Sequence, residues 1–521
     1  MEAHIYPQGC VFKSLEDIKD KKITVMGLGL NGGGEACVKF FLKHGAFVIA
    51  TDMKTTEQLR PTIDSITSDK SIDHSRLMYV LGEHRMEDFE TADCVIKNPG
   101  VKYQGNKYLE AAKAIETDIS IFLNFTKAPV IAVTGSKGKS STVSAIYHGL
   151  QQSGFTTFLG GNITVSPLTF LEKTNEKTPV VLELSSWQLS DLRGRKLLKP
   201  KISVITKIVP DHQNWYGAMD PYVEDKKLIF ADQDENDFTI LDCDEDKYQS
   251  EAGNPNPDFK CWGDYFASET KAKVLRYSKK TLPAEVCGIY QKAEADGNIS
   301  GYVQMNGKTE KIMGSLQVPG DHMRTNVLNA ALCLYLMGVP AEKIVQAVGS
   351  WKGIPHRLER FHEWTCPKDS RKVVFFNDSA ATVPEAAAAA SQSFNQSVVL
   401  ISGGTDKNLD FVPLARTLMG ESGTKYLPKE IYLLSGTGTD KLTPLLDKAK
   451  VQYNGPFDSL EVLLKILKSN LEGGCAEKLY GSAADGELPV VFSPGATSFG
   501  MFLNEFDRGD KFKAMVKEIF S

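Results

Sequence analysis

The sequence predicts a three-domain α/β protein, with a parallel-sheet domain at each end and a phosphate-binding domain between them. Three observations carry that prediction. The chain has 521 residues, too many for one core and suited to three domains of ordinary size. Two short β-branched runs, Ile23 to Met26 and Val130 to Val133, each release into a glycine-rich turn and then a helical stretch. In the last third, four apolar runs each end in small polar residues, as strands of a doubly wound sheet do.

The first domain is expected over residues 1–122. Its opening twenty-two residues are polar and read as peripheral. Ile23 to Met26 then forms a strand, followed by Gly27-Leu28-Gly29-Leu30-Asn31-Gly32, a helix over Cys37 to His44, and a second strand over Ala46 to Ala50 that ends at Asp52. This is a βαβ unit with a G-x-G-x-x-G turn and an acidic residue about twenty positions on, the layout of a Rossmann-like nucleotide-diphosphate site. The glycines admit a diphosphate to the backbone, and the Asp52 carboxylate can accept from a sugar or base. Ala92 to Lys97 reads as a further strand, with Asn98-Pro99-Gly100 as the loop at its end, where ligands of open α/β sheets gather.

The central domain is expected over residues 123–353. Its first strand opens into Gly135-Ser136-Lys137-Gly138-Lys139-Ser140-Ser141, which begins a helix. Backbone N–H groups of such a loop wrap phosphates, the helix N-terminus faces them, Lys139 adds a point charge, and the Ser140 hydroxyl can sit on Mg²⁺. Val133 stands where the longer form of this loop has a glycine, so the loop is the shortened form. Glu183 ends the strand Val180 to Leu184 and reads either as a second Mg²⁺ anchor or as a solvated edge acid. After the strand Ile202 to Ile205 comes Pro210-Asp211-His212, where a lone His reads equally as ligand or as structural. Pro221 to Asp232 is a helix with Tyr222, Ile229 and Phe230 as apolar points, and Lys226 and Lys227 read by default as solvated. From about 235 to 315 the pattern weakens to an irregular, partly β insertion with no chemistry of its own. Order returns at Val318 to His322, leading into a helix that carries Asn326.

The third domain is expected over residues 354–521, a second Rossmann-like α/β sheet. Its strands end in Asn377-Asp378-Ser379, Gly403-Gly404-Thr405-Asp406-Lys407, Ser435-Gly436-Thr437-Gly438 and Ser493-Pro494-Gly495. One rim would carry Asp378, Thr382, Lys407 and Ser498 as a polar ligand site, though each could also be loop chemistry.

Composition excludes several classes. Hydrophobic content of 42% and charged content of 24% are those of a globular protein, and a net charge of −5 without a basic tract argues against nucleic acid as a partner. Nine cysteines without a C-x-x-C pair read as reduced thiols of a cytoplasmic protein. There is no long apolar run for a membrane span and no apolar stretch after Glu2 for a secretory signal.

Taken in order, these motifs resemble the Mur ligases of peptidoglycan synthesis, ATP-dependent amide-forming enzymes with three α/β domains. The similarity rests on Gly27-Leu28-Gly29-Leu30, the Gly-x-x-Gly-Lys-Ser loop, Leu182 to Leu189, Asp211-His212, Gly320-x-His322-x-x-x-Asn326, His356-Arg357-x-Glu359, Asn377-Asp378-Ser379 and Ser493-Pro494-Gly495-Ala496-x-Ser498. Within the family the chain looks most like the branch that adds glutamate to UDP-N-acetylmuramoyl-L-alanine. The resemblance implies ATP and Mg²⁺ as cofactors, a monomer, and a set of roles. Lys139 and the loop amides would hold the ATP phosphates, with Asn326, Arg357 and Asp378 also on ATP. Ser140 and Glu183 would bind one Mg²⁺, and His212 a second together with Lys226 as its N-carboxylated form, a carbamate anion where an ammonium would repel the metal. Lys139, His212 and Lys226 are thus the expected catalytic residues. Leu30, Asn31, Asp52, Asn98 and Gly100 would hold the UDP part, and Asn162, Ser185 and Gln188 would lie near the muramoyl-alanine. Thr382, Lys407, Ser498 and Phe506 would hold the glutamate.

The chain departs from the family pattern at Met323, where the motif has Asn, and at Ala380, where Lys is usual after Asn-Asp-Ser. The second departure leaves D- against L-glutamate open. Other Mur-type or folylpolyglutamate-type ligases, and an L-glutamate-adding variant, are the alternatives. A full βαβ domain ahead of the phosphate loop argues against the folate type. A non-catalytic nucleotide-binding protein would not need Lys139, Glu183, His212 and Lys226 together.

Overall fold

The structure, a computed structural model, describes residues 3–244, 258–394, 396–407, 409–421, 424–473, 486–498 and 500–521. The chain divides into two compact units, one of Met1–Ser315 with Thr325–Val348, the other of Leu316–Arg324 with Gly349–Ser521. Three separate sheets match the three α/β layers expected, two in the first unit and one in the second.

The first sheet comprises β1 (Lys22–Met26), β2 (Phe47–Asp52), β3 (Leu77–Leu81), β4 (Cys94–Lys97) and β5 (Ile115–Glu116). All are parallel, in the order β3-β2-β1-β4-β5. The order reverses between β1 and β4, so their loops, beginning at Gly27 and Asn98, flank the crevice where such sheets bind ligands.

The central sheet has nine strands in the order β14-β13-β12-β11-β10-β9-β6-β8-β7. One end of it is made by β6 (Val130–Thr134), β7 (Phe158–Gly161), β8 (Val180–Glu183) and β9 (Ile202–Ile205). In β6, β8 and β9 every residue is buried, as parallel strands covered on both faces require. The segment expected to be an irregular insertion is regular in its described residues. β10 (Phe238–Asp242), β11 (Lys273–Ser278) and β12 (Gly288–Ala293) continue the sheet in parallel, and β13 (Ile299–Met305) and β14 (Lys308–Met313) finish it in antiparallel. The antiparallel edge has a solvated face, and β14 reads Lys-Thr-Glu-Lys-Ile-Met with only its last two residues buried. Charged residues on such an edge break the apolar run that marks a parallel strand.

The opening segment is a second correction. Tyr6, Cys10, Phe12 and Ile18 are all buried, and the backbone N–H groups of Tyr6 and Gly9 donate to the carbonyls of Arg193 and Arg195. Four apolar side chains among polar ones carry no periodicity, so the segment's packing was not visible in its composition.

The third sheet contains β15 (Glu359–Thr365), β16 (Lys372–Asn377), β17 (Val399–Gly403), β18 (Glu430–Leu434), β19 (Asn454–Phe457) and β20 (Leu488–Phe492). Its order is β15-β16-β20-β17-β18-β19, parallel except for β15. Separate apolar clusters cover its two faces, one around Phe375, Phe492 and Phe512, the other around Leu400, Leu433 and Leu446.

Candidate active site

β6 lies inside the central sheet, between β9 and β8. It delivers the loop Gly135–Gly138 to the N-terminus of the helix Lys139–Gln152. The loop is packed so tightly that two positions demand glycine. Gly135 has φ +140, and a Cβ there would lie 1.9 Å from Thr206 Oγ1; Gly138 has φ +96, and a Cβ there would lie 2.4 Å from Asn326 Oδ1. Asn326 is therefore folded against the phosphate loop, on the side the resemblance gives to ATP. The Lys139 Nζ donates to Gly135 O (2.9 Å) and Ser136 O (3.1 Å), curled back over its own loop. Ser140 and Ser141 stand in the first turn of the helix, with Ser141 buried.

Lys226 is not solvated. It is 1% exposed, donates from Nζ to Gly135 O (2.9 Å), and stands 4.4 Å from the centre of the Tyr222 ring. Burial, and then repulsion from Lys139, holds its ammonium well below the usual lysine range, against the pull of Asp211, Asp225 and Glu183. The Tyr222 hydroxyl donates to Ser136 Oγ (3.0 Å), and that hydroxyl donates to Val209 O (2.8 Å), which ties the Lys226 helix to the phosphate loop. Lysines from two helices thus meet at one carbonyl.

Glu183, at the end of β8, is 1% exposed. Its Oε1 accepts from Asn162 Nδ2 (2.8 Å), and its Oε2 is buried without a hydrogen-bond partner among the described residues. A buried carboxylate oxygen left without a donor is the kind of atom a cation completes. No three His, Cys, Asp or Glu side chains gather as a metal group among the described residues, so Glu183 would need a hydroxyl, phosphate, water or modified lysine as co-ligand. Asp211 Oδ2 pairs with Lys137 Nζ (3.1 Å). His212 is exposed, has φ +51, and its ring centre lies 5.0 Å from that of Trp187.

The residues expected around the first substrate divide in kind. Leu30 and Asn31 are exposed at the rim of the β1 turn. The buried Asp52 accepts from the N–H groups of Gly29 (2.9 Å) and Lys54 (2.9 Å), so it holds that turn in shape. Asn98 Oδ1 accepts from Gly100 N–H (3.0 Å), closing the loop after β4. Ser185 and Gln188 form a capping box on the helix Ser186–Ser190. Ser185 N–H donates to Gln188 Oε1 (3.0 Å) and Gln188 N–H to Ser185 Oγ (3.2 Å), which closes the first turn of that helix.

In the second unit, Asp378 ends β16 and is buried, accepting from Ser493 Oγ (2.7 Å) and Leu358 N–H (3.1 Å). Burial pushes its carboxyl up to about 7, against those hydrogen bonds and the charge of exposed Arg357. Three strand-end loops are stitched together beside it. Gly495 N–H donates to Ala381 O (2.9 Å), and Thr497 N–H donates to Thr405 O (2.9 Å). This brings the segments carrying Thr382, Lys407 and Ser498 to one rim, with Lys407 exposed and Ser498 buried. Phe506 is 54% exposed, its ring centre 5.4 Å from that of His356. Arg508 was not anticipated. Its buried guanidinium donates to Ser379 Oγ (3.0 Å), Ser379 O (2.8 Å) and Ala496 O (3.0 Å), binding two of those loops. A charged residue inside an otherwise apolar helical face was the available signal.

A phosphate loop backed by a strand-end carboxylate and a buried lysine, in a chain that also carries a Rossmann-type sheet, defines a P-loop nucleotide enzyme. Residues 133–334 match the Mur ligase middle domain, and residues 21–121 match the Mur ligase MurD-like N-terminal domain. The chain belongs to the Mur ligase family. It is 39% identical to UDP-N-acetylmuramoylalanine--D-glutamate ligase of Treponema pallidum, across 96% of this chain and 98% of that one. It is 38% identical to the protein of the same name from Borreliella afzelii, across 96% and 99%. Among solved structures, MurF of Acinetobacter baumannii aligns with a TM-score of 0.55 at 12% identity over 100% of both chains. UDP-N-acetylmuramate-alanine ligase of Thermotoga maritima aligns with a TM-score of 0.53 at 16% identity, over 96% of this chain and 99% of that one. These two likenesses concern the fold.

Proposed function

We propose that this chain is an ATP-dependent ligase that joins D-glutamate to UDP-N-acetylmuramoyl-L-alanine, a step of cytoplasmic peptidoglycan precursor synthesis. The observation that carries the reading is the meeting of Lys139 and Lys226 at Gly135 O, in a chain similar over nearly its whole length to relatives of that name.

The chemistry follows from charge. A carboxylate oxygen of the terminal alanine attacks the γ-phosphorus of ATP, the bond to the ADP oxygen breaks, and an acyl phosphate forms. The glutamate nitrogen then attacks the acyl carbon, phosphate leaves, and the nitrogen gives up a proton. Three anions must meet, so positioned positive charge does most of the work. Lys139 and the amides of the loop Gly135–Gly138 are assigned to the phosphates of ATP, and Asn326, Arg357 and Asp378 are assigned to ATP by the resemblance. Mg²⁺, held by Ser140 and Glu183 and by His212 and carboxylated Lys226, would supply further countercharge to the transferring phosphoryl group. Thr382, Lys407, Ser498 and Phe506 are assigned to the glutamate.

The test is phosphate release from ATP with UDP-N-acetylmuramoyl-L-alanine and, separately, D-glutamate, L-glutamate, L-alanine, L-lysine and meso-diaminopimelate. D-glutamate is expected to stimulate release. No stimulation by any amino acid would end the ligase reading, and a preference for another would change the acceptor alone.

A further inference from the structure

Two buried acid–base pairs join β4 and β5 of the first sheet to the segment that follows the helix Ser186–Ser190. Lys97 Nζ is 2.8 Å from Asp191 Oδ2, Arg195 Nη1 is 3.1 Å from Glu116 Oε2, and none of the four side chains is more than 7% exposed. Apolar residues of similar volume would hold these segments together at least as firmly, because buried charges lose their hydration. What the charges add is directional. The Lys97 ammonium also donates to Asn98 O (3.2 Å) and Val101 O (2.8 Å), so its three donors hold the turn after β4 against Asp191. Asp191 caps the helix Ser186–Ser190. Two residues on, Arg193 Nη2 donates to Asp225 Oδ1 (2.6 Å), the neighbour of Lys226.

The segment before β1 closes around this network. The Tyr6 hydroxyl donates to Asp191 Oδ1 (3.1 Å), and the Arg195 guanidinium lies 4.4 Å from the centre of the Tyr6 ring. Tyr6 N–H donates to Arg193 O (2.9 Å), Gly9 N–H to Arg195 O (2.7 Å), and Val11 N–H to Glu116 Oε1 (2.9 Å). The His4 ring stacks at 3.6 Å on Tyr103, just beyond the Asn98–Val101 turn.

We propose that residues 3–12 are a strap that sets the position of the Asn98–Val101 turn relative to the helix carrying Lys226, with Tyr6, Lys97 and Asp191 as positioning residues for the nucleotide end of the substrate. The substrate part of this inference rests on the function proposed above; the strap itself does not. Lys97→Met combined with Asp191→Asn removes both charges together and strands neither. Tyr6→Phe removes one hydroxyl and keeps the ring over Arg195.

In the full-length enzyme, the double variant is expected to keep its thermal midpoint and its KM for ATP, while its KM for UDP-N-acetylmuramoyl-L-alanine rises about tenfold or more, as a misplaced substrate contact does. Tyr6→Phe is expected to show the same split in smaller measure. An unchanged KM for the UDP substrate in the folded double variant would overturn the proposal. Amide hydrogen exchange over residues 98–103, measured without ligand, is expected to quicken in both variants, and unchanged protection would also overturn it. If the wild-type chain does not turn over this substrate, the proposed function falls and the exchange measurement alone decides the strap.

Discussion

Lys226 has a carbonyl and an aromatic ring as its close neighbours and almost no contact with solvent. An amine so placed loses its proton more readily than a surface lysine, and the neutral amine is the form that adds carbon dioxide to give a carbamate and a proton. Lys226→Ala is expected to lose about 100-fold or more in phosphate release, the scale of one lost electrostatic contact to the transferring group. A short carboxylic acid in the buffer should restore part of it; full activity in the variant would rule out the proposed carbamate. Asp378 gives a pH signature in the opposite sense from an ordinary paired acid. Its carboxyl is raised from 3.8 to about 7, so the folded state favours the protonated form. That contribution is fully present below the unfolded value and is lost as pH rises through about 7, to a limit of about 4 kcal/mol. Asp378→Asn is therefore expected to flatten the fall in thermal stability between pH 4 and 7. A slope equal to wild type would place the titration elsewhere. Neither environment was visible in the sequence, where Lys226 stands beside Lys227 as one of a plain charged pair.

The phosphate loop was the most legible element, because a β-branched run, glycines and a Lys-Ser pair must occur together for the backbone to wrap an anion. Its glycines serve packing as well. Gly138→Ala would put a methyl group 2.4 Å from Asn326 Oδ1 at φ +96. Strain of roughly 1–3 kcal/mol borne by the loop corresponds to about fivefold or more in ATP affinity, readable by titration calorimetry, with the circular dichroism spectrum unchanged. Wild-type affinity would show that the loop relaxes freely. The capping box at Ser185 and Gln188 predicts a different outcome, because its hydrogen bonds serve the helix Ser186–Ser190. Ser185→Ala is expected to lower urea stability by about 1 kcal/mol while leaving the KM for the UDP substrate within about twofold. A large KM effect at unchanged stability would place Ser185 on the substrate. The strands β11 to β14 were legible only as a partly β stretch, for the converse reason. Their polar, partly solvated faces lack the continuous apolar run of a buried parallel strand, and their partners are supplied by neighbouring strands of the same late segment.

At the scale of the molecule, each sheet presents candidate residues at the carboxyl ends of its parallel strands, as open α/β sheets do. Three glycine- or Ser-rich strand ends in the right order made that plan readable, since each must solve the same problem of bringing backbone to an anion. The strap over residues 3–12 and the buried pairs at Asp191 and Glu116 were not readable, because a charged residue in a sequence carries no sign of being buried with its partner. The central claim is that the phosphoryl group passes from ATP to the substrate carboxylate at the loop holding Lys139. UDP-N-acetylmuramoyl-L-alanine labelled with oxygen-18 in its terminal carboxylate tests it directly, with D-glutamate and ATP present and the released phosphate examined by mass spectrometry. Transfer to the carboxylate predicts one labelled oxygen in each phosphate, and its loss with Lys139→Ala; phosphate released without label would contradict the account.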